Sequence, residues 1–423
     1  MSEGGEPTGP PPPELTRRSL LIGAGGVSVA APSIVRAQGV SKPSTAVIGA
    51  GVFGAWTAEH LRRAGHRVTL VDSSGPAHSR ASSGGESRMT RAAYGKDEIY
   101  TRMALDSLAE WKRLSTVSGL PIFAPHGVLF FFGREEAYLR DSIAVHRRLG
   151  LPTETFTPAE IASRFPMIDF TGIAAGLFEP HFGALMARRS VQTLFMRFVQ
   201  AGGQYRNGLV SAPASAGGKL VTASLANGER LQADNFVFAA GPWLPKLFPG
   251  LLANRIVPTR QEVFYFAPPP GDPLFQPGRM PGWADFNDGE IYYGFPDLEG
   301  RGVKFAHDAH GPKVDPDTQS RQPTAAAIAD VTAFRDRRFP RLRGAQLIGA
   351  EVCQYENSSN GDFLIDRHPQ WSNVVLVGGG SGHGFKHGPE VGRYAAGLVS
   401  GTMQVEPRFS LATKGESQKR EVH

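Results

Sequence analysis

The residues of this 423-residue chain whose types and spacing could do chemistry are few: one cysteine, two arginines three apart, one lysine between apolar neighbours, and a glycine run that ends in a lysine. Cys353 is the sole cysteine, which excludes any intramolecular disulfide and any multi-cysteine metal site. It is either a small buried hydrophobe or a reactive thiol. A thiol reacts as the thiolate, which a positive neighbourhood favours. Arg88 and Arg91 stand in a polar, glycine-rich loop, residues 82–95, at a spacing that puts them on one helical face or on two flanks of a loop. Lys304 lies between Val303 and Phe305, which favours an inward position over the solvated one usual for lysine. Gly378, Gly379, Gly380, Gly382, Gly384 and Gly388 follow an apolar strand and bring bare backbone close to something flat. A helix is expected from about Pro389, with Ala395, Ala396 and Leu398 inward and its N-terminal amides turned to the same place.

These residues need a scaffold, and one begins at Thr45. Ala46-Val47-Ile48 reads as a short strand running into Gly49-Ala50-Gly51-Val52-Phe53-Gly54. Ala55, Ala58, Leu61 and Ala64 then follow at helical spacing until Gly65, and Val68–Val71 is a second strand ending in Asp72. Strand, glycines, helix, strand and acidic terminus are in register for a dinucleotide-binding unit. Gly49 permits the turn, Gly51 lets a pyrophosphate reach the backbone, Gly54 lets helix and strand pack, and Asp72 can accept from ribose hydroxyls. The helix N-terminus offers amides and a positive dipole end to the phosphates. The fingerprint alone does not separate FAD from NAD.

Composition sets the limits. Hydrophobic residues are 41% and charged residues 20%, which suits a globular protein and excludes wholesale disorder. Gly 51 and Pro 33 show no G-x-y period, so the chain is not collagen-like. The net charge is +6 with no block of five or more basic residues, which argues against a nucleic-acid partner. No metal-ligating constellation stands out. Residues 1–37 read as an address label: a polar, Pro/Gly-rich start, Thr16-Arg17-Arg18-Ser19, an apolar stretch diluted with Gly and Ala, and small residues ending at Ala37. This resembles a twin-arginine export signal, and the apolar run is too short to span a membrane. Export to the periplasm or the outside, with no stable membrane insertion, is the expectation.

The fingerprint and four later motifs carry a resemblance. These are the Ser82–Gly95 loop; Ile291-Tyr292-Tyr293-Gly294-Phe295-Pro296 with Val303-Lys304 and Lys313-Val314-Asp315-Pro316-Asp317; Val352-Cys353-Gln354-Tyr355 leading to Asp362–Pro369; and Gly380-Ser381-Gly382-His383-Gly384-Phe385-Lys386. On these the chain resembles the D-amino-acid-oxidase-like FAD superfamily. Within it the likeness is to the monomeric sarcosine oxidase group, which includes N-methyltryptophan oxidase and pipecolate oxidase. The resemblance implies a mixed α/β fold: a Rossmann-like FAD-binding domain (44–127, 186–255, 350–410) interleaved with a mixed-sheet substrate domain (128–185, 256–349), with a flexible tail at 411–423. It implies FAD joined to Cys353 as a thioether, with Arg88 assisting attachment. The FAD site would further take Gly49, Gly51, Gly54, Asp72, Ser82, Val210, Gly382, His383, Gly384, Phe385 and Lys386.

For catalysis the resemblance assigns Lys304 to oxygen activation by its charge, Arg91 and Lys386 to the substrate carboxylate, and Tyr293 to the pocket wall. The reaction implied is oxidation of the C–N bond of a secondary-amine carboxylate to an imine, O₂ becoming hydrogen peroxide, in a monomeric enzyme. One departure bears on the substrate: the family's histidine four residues after the lysine is Asp308 here, with His307 one place earlier. An aspartate repels a carboxylate, so a larger or more cationic amine than sarcosine is expected. Three other readings stay open on these residues: a dehydrogenase passing electrons to a quinone or carrier protein, an NAD-dependent reductase, and a silent FAD-binding protein.

Overall fold

The computed structural model describes residues 42–214, 217–287 and 289–418. The export label expected at 1–37 lies outside the described residues. Among them, no helix is long and apolar enough to cross a membrane.

The sequence signals at Thr45 produce strand Ser44–Ile48, helix Val52–Arg63 and strand Arg67–Asp72. The two strands pair in parallel, as a right-handed βαβ crossover requires. They sit inside a six-stranded sheet. Its order runs Leu364–Arg367, Val374–Gly378, Asn235–Phe238, Ser44–Ile48, Arg67–Asp72, Gln204–Asn207. All neighbours are parallel except the first two. From Ser44–Ile48 the chain feeds strands on both sides, so the crevice at its C-terminal end is a topological switch point, where open α/β sheets bind ligands. Val374–Gly378 is buried throughout, as its unbroken apolar sequence demands of a central parallel strand. Helix Gly388–Ser400 crosses the fingerprint helix at close range: a Cβ on Gly392 would lie 2.6 Å from the Trp56 backbone.

A second, eight-stranded sheet runs in the order Leu347–Ser358, Ile256–Phe266, Val303–His307, Glu290–Phe295, Gly282–Asn287, Val128–Phe132, Ala175–Glu179, Glu154–Phe156. Only the Gly282–Asn287/Val128–Phe132 pair is parallel. Helix Ala325–Arg338 covers one face, with Phe334 stacked on Trp283 and Tyr292. Leu347–Ser358, which carries Cys353, hydrogen-bonds along its length to Ile256–Phe266 as the edge strand of this sheet. A small three-stranded sheet holds the arginine loop, with Ser87–Thr90 paired to Gly183–Met186.

Residues 411–414, expected to trail from the fold, are instead fixed to it. The Lys414 ammonium is fully buried and donates to the Arg408 carbonyl at 2.9 Å, while Arg255 donates to the Lys414 carbonyl at 2.6 Å.

Candidate active site

A cavity of roughly 680 Å³ opens at the switch point. Gly49, Gly51, Asp72, Ser82, Arg88, Val210, Gly382, Gly384 and Phe385 line it, as the sequence led one to expect. Gly49 has φ +106°, and a Cβ there would stand 2.3 Å from the Ala239 carbonyl oxygen. Gly54 does not reach the cavity; its role is packing, since a Cβ would fall 1.8 Å from the Gly49 oxygen. Gly51 differs from both. Its φ is −72°, and a Cβ would meet only the Ser83 hydroxyl, at 3.4 Å. The protein leaves room there, so the bare backbone serves whatever fills the cavity. No side chain caps the fingerprint helix at Gly51, which leaves its first amides free for an anion. Asp72 Oδ2 accepts the Ala50 amide at 2.8 Å and Oδ1 accepts Ser74 and Gly75. The carboxylate therefore shapes the turn as well as facing the cavity. A dinucleotide fits this set of donors and glycines.

Arg88 lines the cavity, and Cys353 stands next to it, outside the lining. Arg88 Nη2 lies 3.4 Å from Cys353 Sγ and donates to the Ser82 carbonyl at 2.7 Å. Ser82 Oγ in turn donates to the Gln354 carbonyl at 2.7 Å. Cys353 is half-buried beside that guanidinium. Lys304 is behind them, 1% exposed, and donates to the Ser87 carbonyl at 3.0 Å. Burial, and then the neighbouring Arg88 charge, hold its ammonium down to about 7.

The strand alternation decides the Asp308 question. Lys304 and Ala306 share one face of the strand, where Lys304 meets Ser87 and Ala306 packs with Val263, Tyr265 and Tyr293. Val303 and Phe305 point into the opposite core. His307 shares that outer side. It stacks on Tyr292 at 4.3 Å and bonds to Asp330 at 3.0 Å and Glu290 at 2.5 Å. His307 therefore cannot substitute for a histidine at 308, because period-2 side-chain direction turns it away.

Arg91, Lys386, Tyr293 and Asp308 are brought together. The Arg91 guanidinium lies 4.2 Å from the Tyr94 ring centroid and the Lys386 ammonium 5.3 Å from the same ring. Lys386 Nζ also donates to Tyr94 Oη and to the His383 carbonyl, each at 2.8 Å. Arg91 donates to the Ala93 carbonyl and to Tyr138 Oη. Burial and then Arg91 push the Lys386 ammonium well below its ordinary range, while Asp308 opposes that shift. Asp308 likewise acts on Arg91, and after burial it is the largest influence raising the Tyr293 phenol.

His383 does not line the cavity. Its ring stacks on Phe363 at 4.8 Å and bonds to the Gly361 carbonyl at 3.1 Å, so it shapes the glycine loop from behind. The sequence reading passed over Tyr94, Glu179 and Glu356. Tyr94 is in the quoted arginine loop, three residues after Arg91, so spacing held a signal. Glu179 is 87 residues from the Ala92 amide it accepts at 3.1 Å, and nothing local marks it.

Residues 44–398 match the family described as DAO: FAD dependent oxidoreductase. The chain is a member of that family. Monomeric sarcosine oxidase from Bacillus sp. (strain B-0618) is 31% identical over 360 residues, covering 84% of this chain and 91% of that protein. N-methyl-L-tryptophan oxidase from Citrobacter koseri is 31% identical over 374 residues, 86% of this chain and 96% of that one. Human peroxisomal sarcosine oxidase is also 31% identical, over 86% of this chain and 93% of its own. The fold is shared with the solved L-proline dehydrogenase from P. horikoshii (TM-score 0.74, 20% identity, 88% of this chain and 97% of that one). It is shared too with a modified fructosyl peptide oxidase from Aspergillus nidulans (TM-score 0.77, 19% identity, 89% and 94%). Membership in this FAD oxidoreductase family fits the glycine cradle and the open helix end.

Proposed function

We propose that this FAD enzyme oxidises the C–N bond of a secondary-amine amino acid bulkier or more cationic than sarcosine, with O₂ as acceptor, and that it carries its FAD on Cys353. The observation that carries the reading is the convergence of two buried basic side chains, Arg91 and Lys386, over one tyrosine ring, with Asp308 acting on both. Bound FAD supplies the hydride acceptor. Arg91 and Lys386 hold a substrate carboxylate, Arg91 by its planar fork and Lys386 as a point charge. Asp308 already neutralises part of that field and offers an anionic partner to a cationic amine or side chain. Tyr293 walls the pocket. Lys304 places a cation where negative charge develops on oxygen. Arg88 holds Cys353 ready to attach. The leading sequence around Arg17-Arg18 supports export of the folded, cofactor-loaded protein.

The first experiment is flavin absorbance of acid-precipitated, washed protein with its intact mass. A yellow pellet carrying one FAD, and a colourless one from Cys353→Ser, are expected. A wild-type pellet that loses its colour removes the covalent bond. Peroxide release across a panel of N-alkyl amino acids then tests the substrate. Sarcosine far ahead of all larger or cationic amines overturns the role given to Asp308. Reduction by substrate without oxygen consumption points instead to a dehydrogenase. Replacing both Arg17 and Arg18 by lysine should stop export, read by cell fractionation.

A further inference from the structure

Glu356 is a buried acid with half of its hydrogen bonding unmet. It is 7% exposed, near the end of strand Leu347–Ser358, and it lines the cofactor cavity. Oε1 accepts the Gly380 amide at 3.4 Å, while Oε2 is buried with no hydrogen-bond partner. Its backbone is fixed, because the Ser381 amide donates to the Glu356 carbonyl at 3.1 Å. The glycines opposite make room for the carboxyl: a Cβ on Gly378 would lie 3.2 Å from Oε2 and one on Gly380 3.3 Å from Oε1. Burial pushes the acid up to about 7, so it stays largely protonated below neutrality and can donate as well as accept. An unmet buried carboxyl costs the fold free energy that an apolar residue of the same size would not. Its retention on a cavity wall points to a ligand that meets it.

Its place in the sheet says which part of the ligand. Gly378–Gly380 end the strand two places from the fingerprint strand, on the side opposite the Asp72 strand. Glu356 thus lies past the phosphate-binding helix end from Asp72, on the way to Arg88 and Cys353. A flavin dinucleotide with its adenosine ribose at Asp72 and its ring near Arg88 would lay its sugar-alcohol chain along that stretch. We propose that Glu356 binds the cofactor, its carboxyl hydrogen-bonding a hydroxyl of that polyol segment. The inference rests on FAD as the cofactor and on neither the substrate nor the covalent bond.

The test compares Glu356→Gln, which keeps a donor and an acceptor, with Glu356→Leu, which keeps shape alone. In a Cys353→Ser host, from which flavin can leave, release into mild chaotrope is followed by flavin fluorescence. Leucine is expected to speed release at least about tenfold, and glutamine to stay within about threefold of the host. The second measurement needs no release: flavin per chain in the Cys353 proteins as purified, expected to be full in wild type and Glu356→Gln and under about a tenth in Glu356→Leu. With flavin stripped from both, the unfolding midpoint of Glu356→Leu in the Cys353→Ser host should not fall below that of the host, because in the empty cavity an unmet carboxyl has been removed. Equal flavin content and release in all proteins overturns the proposal. So does a glutamine variant as poor as leucine, or a lowered midpoint in both, which marks a packing role. A colourless wild type instead removes FAD as the cofactor.

Discussion

Lys304 shows how one residue's chemistry follows from its neighbours. Its charge costs most because it is buried, and Arg88 adds to the cost, so it is an ammonium below about pH 7 and increasingly an amine above. If the cation assists oxygen, reoxidation of the reduced enzyme should be fastest below pH 7 and slow as pH rises through that value. Lys304→Met is expected to slow reoxidation about a hundredfold and to flatten that pH dependence, while anaerobic reduction by substrate stays near the wild-type rate. Stopped-flow mixing of reduced enzyme with O₂ measures both. A variant that reoxidises normally would exclude this role.

At the scale of elements, two close approaches decide whether the site forms. The fingerprint turn rests against its own helix at Gly54, where a Cβ would fall 1.8 Å from the Gly49 oxygen. Gly54→Ala must push helix Val52–Arg63 off the sheet. It should cost about 2–3 kcal/mol and most of the bound flavin, read by thermal unfolding and absorbance. The arginine loop is pinned by strand Ala175–Glu179: both Glu179 oxygens accept the Ala92 amide at 3.1 Å, and His146 Nε2 lies 3.4 Å away. Burial raises the Glu179 carboxyl from 4.5 to about 7, against the pull of the Ala92 amide and of Arg91. The folded state therefore keeps a proton that the unfolded chain releases. That contribution to stability is whole below pH 4.5 and is lost as pH rises through about 7. Glu179→Gln cannot titrate, so its unfolding midpoint should gain on the wild type progressively from pH 4.5 to 7. A constant difference across that window would exclude the linkage.

The whole molecule is tied by the strands it exchanges between sheets. The chain leaves the six-stranded sheet and returns to it after each visit to the eight-stranded one, and Cys353 on the second sheet meets Arg88, which comes from a third. One cooperative unfolding transition of the holoprotein is expected by calorimetry, and two separated transitions would contradict it. A buried ion pair holds helix Ala325–Arg338 to the second sheet. Arg338 Nε bonds Asp285 Oδ2 at 2.8 Å and Nη1 bonds the Asp169 and Thr171 carbonyls. Asp285→Ala leaves that guanidinium without its counter-charge, and a loss of about 3–5 kcal/mol by denaturant titration is expected.

The amino-acid sequence alone determined what depends on neighbours along the chain. The dinucleotide fingerprint with its two strands and the glycine loop after Val377 are short-range patterns, and each folds as read. The period of two along Val303–His307 already put Lys304 on the face that continues to Asp308 and turned His307 away. Tertiary structure alone decided what depends on closing long loops. Arg88 meets Cys353 across 265 residues, Lys386 meets Tyr94 across 292, and Glu179 reaches Ala92 across 87. Glu356 gave no sequence signal, because being unmet in a cavity is a property of every group around it. Such pairings are set by strand register and sheet order, and one residue of slip would turn each side chain to the other face.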